Sequence, residues 1–174
     1  MYKRQHVLHP YEDLKSRGTY KRKLIVKSDN IYLYDEEGNR YIDGPGGMWC
    51  NNIGHGNKEI AEAIKKQIEK MDYCSPFSES TEVAAELASV LSDLSPGDLN
   101  TIFFTSDGST ANDSALRFVM YYNNILGRKE KKHIITRDRA YHGSTYLTAS
   151  ITGKDREKNN FDFEKNFIHH LSNP

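Results

Sequence analysis

Residues 105–113 carry the clearest chemical potential of the chain, because they lie between an apolar run and a helical pattern. Gly108 allows the backbone to approach a ligand closely, and the Ser109 and Thr110 hydroxyls add hydrogen-bond donors. Backbone N–H groups at a helix start are unpaired and lie at the positive end of the helix dipole, so such a turn binds phosphate. An ordinary N-cap formed by Asp107 or Ser109 explains the same residues equally well. The segment matches neither a Walker loop nor a G-x-G-x-x-G dinucleotide turn.

Two aromatic residues in loops are further candidates for a binding site. Tyr141 opens the tripeptide Tyr-His-Gly after the next apolar run, at the end of the predicted sheet where the first turn also lies. An aromatic ring there can lie flat on a planar heterocycle whose phosphate the first turn holds, although a half-buried Tyr141 and a structural His142 explain the tripeptide as well. Trp49, the only tryptophan, follows a glycine-rich stretch and either lines a pocket or anchors its own loop.

The composition excludes several classes of function. Lysine plus arginine and aspartate plus glutamate each number 24 in 174 residues, so the formal charge is zero, which argues against nucleic-acid binding. No apolar run approaches the roughly 20 residues that span a bilayer, and no secretory signal follows the N-terminus, so we expect no membrane partner. Cys50 and Cys74 form no zinc pattern and no disulfide framework. We therefore expect a cytoplasmic protein that binds no metal.

The first part of the chain predicts a polar arm, short strands and two helices. Residues 2–23 are polar and basic without a clean period. Three β-branched and aromatic runs, 24–27, 31–34 and 40–43, predict antiparallel strands with a turn at Gly38. Asn57 is placed to cap a helix that reaches Met71, and Ser80 to cap a second helix that Pro96 and Gly97 end.

From residue 101 onward the pattern alternates between strands and helices. Residues 101–105 predict a short apolar strand of the kind buried in a parallel sheet, and residues 133–136 predict a second strand. The helix between them is expected from about Thr110 to Leu126, with Gly127 as its stop, and a further helix is expected to reach Ile151. This alternation predicts a parallel sheet with crossover helices. Because two strands cannot form a two-sided core, we expect the sheet to continue beyond Pro174.

Four ordered motifs give the sequence a family resemblance. They are YLYD with GNRYIDG (residues 32–44), WCNNIGHG (49–56), FFTSDGSTAND (103–113) and YHGST (141–145). From about Leu24 onward the chain resembles the N-terminal part of class III aminotransferases, which are pyridoxal phosphate (PLP) enzymes of fold type I. It is most similar to the ω-amino acid and diamine:pyruvate branch.

The resemblance implies an incomplete α/β fold of the fold-type I PLP-dependent transferases. Residues 1–56 would be an N-terminal arm and a small-domain β segment. Residues 57–174 would be the first part of the PLP-binding large domain, with the start of its sheet. The segment Met1–Gln5 resembles translated adapter sequence, which suits a truncated gene fragment.

Residue roles also follow from the resemblance. Gly108 and Ser109 would bind the PLP phosphate, Tyr141 would stack on the pyridine ring, and Trp49 would line the substrate side of the pocket. Thr110 stands where the family pattern usually has an acidic residue. The Schiff-base lysine and the aspartate that pairs with the pyridinium nitrogen would lie beyond Pro174, so we assign no catalytic residue.

The activity implied is transfer of an amino group from an ω-amino acid or amine to a keto acid such as pyruvate, by a homodimer or higher homo-oligomer. The chain alone is expected to be inactive because the lysine is missing. Two alternatives stay open: another PLP enzyme of this fold, such as an aminomutase or decarboxylase, and a non-catalytic degenerate paralogue.

Overall fold

A computed structural model describes residues 6–16, 19, 22–154 and 158–173 of the chain. They form two compact units, Met1–Thr81 and Glu82–Pro174. Met1–Gln5 and part of the predicted N-terminal arm lie outside the described residues. The division into domains at residues 56 and 57 stays a prediction about the whole fold.

The first unit contains the predicted antiparallel strands. They are β1 (Ile25–Asp29), β2 (Tyr32–Asp35) and β3 (Arg40–Ile42), in the order β1-β2-β3. Gly38 has a φ of +87° in the turn between β2 and β3, a region that glycine occupies at little cost. The predicted hairpin and its turn are therefore confirmed.

Asp35 at the end of β2 holds this turn. Its carboxylate accepts hydrogen bonds from the side chain of Asn39 (3.0 Å), the hydroxyl of Tyr41 (2.8 Å) and the backbone N–H groups of Asn39 (2.9 Å) and Glu37 (3.0 Å). These donors, with the Asn39 side chain first, lower the pKa of Asp35 to about 2, since each favours the charged form. Asp35 is buried and ionised, and the four donors compensate for the water that it loses.

A short turn and a regular helix follow the strands of this unit. The turn α1 (Gly46–Trp49) is left-handed, with positive φ at all four residues. Helix α2 (Lys58–Lys70) begins after Asn57, whose side chain accepts from the backbone N–H of Ile60 at 3.0 Å. The predicted cap and extent of α2 are confirmed.

The described residues of the second unit form three helices and a parallel pair of strands. Helix α3 (Glu82–Leu94) begins two residues after the predicted cap Ser80, and α4 (Gly108–Ile125) begins two residues before the predicted start. Strand β4 (Ile134–Arg137), helix α5 (Tyr146–Ile151) and strand β5 (Ile168–Leu171) follow. Strands β4 and β5 pair in parallel, with Ile134 opposite Ile168. Among the described residues of this unit, the buried apolar side chains are Ile151 and Ile168.

The predicted strand at residues 101–105 is wrong for the described part of the chain. A strand exists through hydrogen bonds to a neighbour, and within the described residues this segment has no ladder partner. The Phe103 ring meets the Phe118 ring of α4 edge to face at 5.3 Å, while Phe103 and Phe104 remain exposed. The partner of β4 is β5, a strand that the sequence pattern does not indicate.

No helix among the described residues is both long enough and apolar enough to cross a membrane.

Candidate functional site

The start of α4 is closed by a reciprocal capping interaction. Asp107 is the N-cap, and its carboxylate accepts from the backbone N–H of Thr110 at 3.0 Å. The Thr110 hydroxyl in turn lies 3.2 Å from the backbone N–H of Asp107, which donates to it. The pKa of Asp107 is lowered chiefly by the Thr110 N–H group, with a further contribution from the N–H of Ser109. Thr110 therefore forms half of a capping box at the start of α4.

Gly108 and Ser109 are the first two residues of α4, as expected for a turn into a helix. The backbone N–H of Gly108 has no acceptor among the described residues. The Ser109 hydroxyl accepts from the backbone N–H of Ser144 at 3.1 Å, which leaves its own proton available to donate. A Cβ built on Gly108 meets no heavy atom within 4 Å, so the space beside this residue is open. These donors and this open space fit a phosphate group.

The loop after β4 is held against the same end of α4. The Asn112 side chain donates to the backbone carbonyl of His142 at 2.8 Å, and Ser144 is bonded to Ser109 as described above. Between these two contacts, Gly143 has a φ of +135°, and a Cβ built there would lie 2.7 Å from the Ser109 hydroxyl and 2.9 Å from its Cα. Only glycine allows the loop and the helix start to approach this closely. Tyr141 therefore precedes a segment that is fixed at the turn.

A network of hydroxyl groups fixes His142 on the other side of this loop. The Thr136 hydroxyl donates to the backbone carbonyl of Ile151 at 2.8 Å and lies 3.1 Å from Nε2 of His142. Because its one proton is used, the Thr136 hydroxyl accepts from His142, so that Nε2 carries a hydrogen. The backbone N–H of His142 donates to the buried Thr152 hydroxyl at 3.0 Å. These contacts favour the structural interpretation of His142.

The Tyr141 ring is half exposed, at 52% of its accessible surface. The ammonium group of Lys154 lies 4.9 Å from the ring centroid, within the range of a cation–π contact. An exposed ring of this kind is free to accept a planar group as well. The stacking role of Tyr141 remains a prediction.

Trp49 lies in the first unit, in the left-handed turn α1, and its side chain is 76% exposed. Left-handed φ costs an ordinary residue about 1–2 kcal/mol, and Met48 and Trp49 both adopt it, with φ of 60° and 68°. Hydrogen bonds offset this strain: the backbone N–H of Asn51 donates to the carbonyl of Gly46 at 2.9 Å, and that of Trp49 to Pro45 at 2.8 Å. These hydrogen bonds hold the backbone of Trp49 in its left-handed conformation.

A polar cluster not foreseen from the sequence braces the same loop. His55 lies 2.9 Å from the Asp43 carboxylate through Nε2 and 2.8 Å from the Asn51 amide through Nδ1. The contact with His55 is the largest cause of the lowered pKa of Asp43. Since Asp43 directly follows β3 and His55 follows the loop, the cluster closes the loop at its base. Asp, Asn and His near a glycine-rich loop were the available signal for it.

The described residues contain no group of three or more histidine, cysteine or acidic side chains that could hold a metal ion. The residues that sequence reasoning missed around Gly108 are Asn112, Ser144 and the glycine at 143. Their contacts join positions about 30 residues apart, so no local pattern indicates them.

Known proteins resemble the chain along almost its whole length. A family model described as Aminotransferase class-III matches residues 15–174. Putrescine–pyruvate aminotransferase of Pseudomonas aeruginosa is 34% identical over 172 residues, which are 98% of this chain and 38% of that protein. Vanillin aminotransferase of Capsicum annuum is 37% identical over 153 residues, covering 87% of this chain and 33% of the relative.

Solved structures give the same result for the fold. The omega transaminase from Pseudomonas jessenii in complex with PMP superimposes with a TM-score of 0.95 at 33% identity, covering 99% of this chain and 38% of that one. An omega-transaminase from Thermomicrobium roseum superimposes with a TM-score of 0.93, also at 33% identity, over 98% of this chain and 39% of that chain. The chain thus spans about 38% of the length of the proteins that it matches.

Proposed function

Because the chain belongs to the class-III aminotransferase family, we propose that the protein containing it is a PLP-dependent transaminase. It moves an amino group from an ω-amino acid or amine to a keto acid such as pyruvate. The names of the relatives, which include a putrescine–pyruvate aminotransferase and omega transaminases, support this substrate class. The fold on which the proposal rests is that of the fold-type I PLP enzymes.

The observation that carries the proposal is the open, donor-rich start of α4 beside the Tyr141 loop. The backbone N–H of Gly108 and the hydroxyl of Ser109 hold the phosphate of PLP, and Ser144 orients that hydroxyl by donating to it at 3.1 Å. Tyr141 stacks on the pyridine ring. Bound PLP supplies an electron sink for the amine carbon, and the protein supplies its orientation.

Trp49 is proposed to line the substrate side of the pocket. Its exposed indole and strained, well-braced backbone support a role in shaping a binding surface. The small-molecule substrates agree with the balanced charge, since the chain has no basic excess for a nucleic acid. Cytoplasmic location and a homodimer complete the proposal, the former supported by two free cysteines, Cys50 and Cys74.

The test is amine-dependent formation of alanine from pyruvate by the whole protein, with PLP binding followed by absorbance. Tyr141→Ala is expected to raise the Kd for PLP by about tenfold, because stacking on an aromatic ring is worth roughly 1–3 kcal/mol. Tyr141→Phe keeps the ring and is the matched control, with a Kd close to that of the wild type. A wild-type protein that forms no alanine from any ω-amine but binds PLP would favour another PLP enzyme of this fold.

A further inference from the structure

The start of α4 already holds one anion of its own, the carboxylate of Asp107. This carboxylate accepts from the N–H of Thr110 at 3.0 Å and from the Ser106 hydroxyl at 3.1 Å. No arginine, lysine or histidine forms an ion pair with Asp107 in the described part of the chain. Its negative charge is therefore compensated by the same helix end that would bind a phosphate.

A phosphate bound by Gly108 and Ser109 would lie close to the negative charge of Asp107. The amide N–H groups of the first turn are few, and Asp107 takes that of Thr110 while it also faces that of Ser109. A phosphate dianion must share the remaining donors and lie next to a carboxylate of the same sign. The helix dipole stabilises both negative charges. It stabilises a bound phosphate less, because the carboxylate of Asp107 is already bound at the same helix end.

We propose, on the basis of the proposed function, that Asp107 is an internal competitor of the PLP phosphate that sets how tightly the protein holds its cofactor. Asp107 caps α4, and its charge lowers the affinity for the phosphate group. The residue acts on the phosphate alone, so the affinity for the ring is independent of it.

The expected size of the effect follows from electrostatics. A dianion about 6 Å from a carboxylate, at the dielectric constant of water, loses about tenfold in affinity. In 1 M salt the Debye length is only about 3 Å, so most of this loss disappears.

The experiment compares the whole protein with Asp107→Asn and Asp107→Ser. Asparagine and serine both cap helices well, so both variants keep the start of α4, and agreement between them excludes a folding defect of one. Asp98→Asn, which removes an equal charge at the other end of the 101–105 segment, is the matched control. The Kd is measured for PLP, for inorganic phosphate and for pyridoxal, which lacks the phosphate.

The expected result is a Kd for PLP and for inorganic phosphate about tenfold lower in both Asp107 variants, with the Kd for pyridoxal unchanged. In 1 M salt the ratio of the wild-type Kd to the Kd of each Asp107 variant should fall towards one. Asp98→Asn should bind PLP with the Kd of the wild type. Equal binding of PLP by all four proteins, weaker binding by the variants, or an equal gain for pyridoxal would overturn this inference while the proposed function stands. Failure of the wild type and all variants to bind PLP would instead overturn the proposed function.

Discussion

Replacing Gly143 by alanine tests whether the Tyr141 loop owes its position to direct contact with the start of α4. The φ of +135° at Gly143 is strained for any residue with a side chain, at a cost of about 1–3 kcal/mol. The new Cβ would also lie 2.5 Å from the Thr148 hydroxyl and 2.7 Å from that of Ser109. Overpacking of this kind costs about 1–3 kcal/mol more. We therefore expect Gly143→Ala to reduce the free energy of unfolding by roughly 2–6 kcal/mol, a large part of the 5–15 kcal/mol typical of proteins.

The assay is urea denaturation of the whole protein, with the slope m checked for constancy between variants. Gly127→Ala is the matched control, because Gly127 lies in the same unit with a φ of +71° but has no heavy atom within 4 Å of its built Cβ. That variant bears the strain alone, about 1–2 kcal/mol. If Gly143→Ala and Gly127→Ala lower the free energy of unfolding equally, close contact with α4 does not require glycine at position 143. That result would refute the conclusion that this contact positions the Tyr141 loop.

Three further changes test other parts of the structure. Asn112→Ala removes the donor to the His142 carbonyl and should lower the free energy of unfolding, measured in urea, by about 0.5–1.5 kcal/mol. The Kd for PLP should rise as well. An unchanged Kd would show that this contact does not contribute to the site. The hydroxyl of Thr148 is fully buried and accepts from the N–H of Thr145 at 3.1 Å. Thr148→Val should therefore lower the free energy of unfolding by about 1–3 kcal/mol, and Thr148→Ser, which keeps the hydroxyl, by less. Equal losses of stability in the two variants would exclude the hydroxyl as the cause. Because the pKa of Asp35 is lowered to about 2, its ionised form stabilises the fold above the unfolded value of 3.8 and this contribution is lost as the pH falls towards 2. Asp35→Asn should therefore flatten acid unfolding between pH 4 and pH 2, and an unchanged acid transition would contradict this.

The helices of the chain follow from local sequence because their causes are local. The cap at Asn57 and the run of apolar side chains after it determine α2 within one stretch of residues, and the structure agrees with the predicted helix to one residue. The capping box of α4 was visible only as one option, since Asp107 and Ser109 are both good caps. The structure selects Asp107, and this selection starts the helix two residues earlier than predicted.

Strands are harder because their hydrogen bonds are made with distant residues. Residues 101–105 have the apolar, β-branched character of a strand, but the described part of the chain offers them no partner. Residues 168–171, with two adjacent histidines, have no such character and still form β5, because β4 lies beside them with free ladder groups. Hydrophobic pattern therefore predicts which segments suit a strand, and the neighbour decides which of them becomes one.

The candidate site shows the same division between local and distant causes. Gly108, Ser109 and Tyr141 are indicated by local pattern and family resemblance, whereas the contacts that join them belong to Asn112, Gly143 and Ser144. The local sequence does not show why residue 143 is a glycine. Glycine is required there because Ser109 of α4 lies less than 3 Å from where a Cβ would be. Residues that bind a ligand can thus be predicted from their own chemistry. The residues that bring them together can be identified only after the fold has placed two segments of the chain side by side.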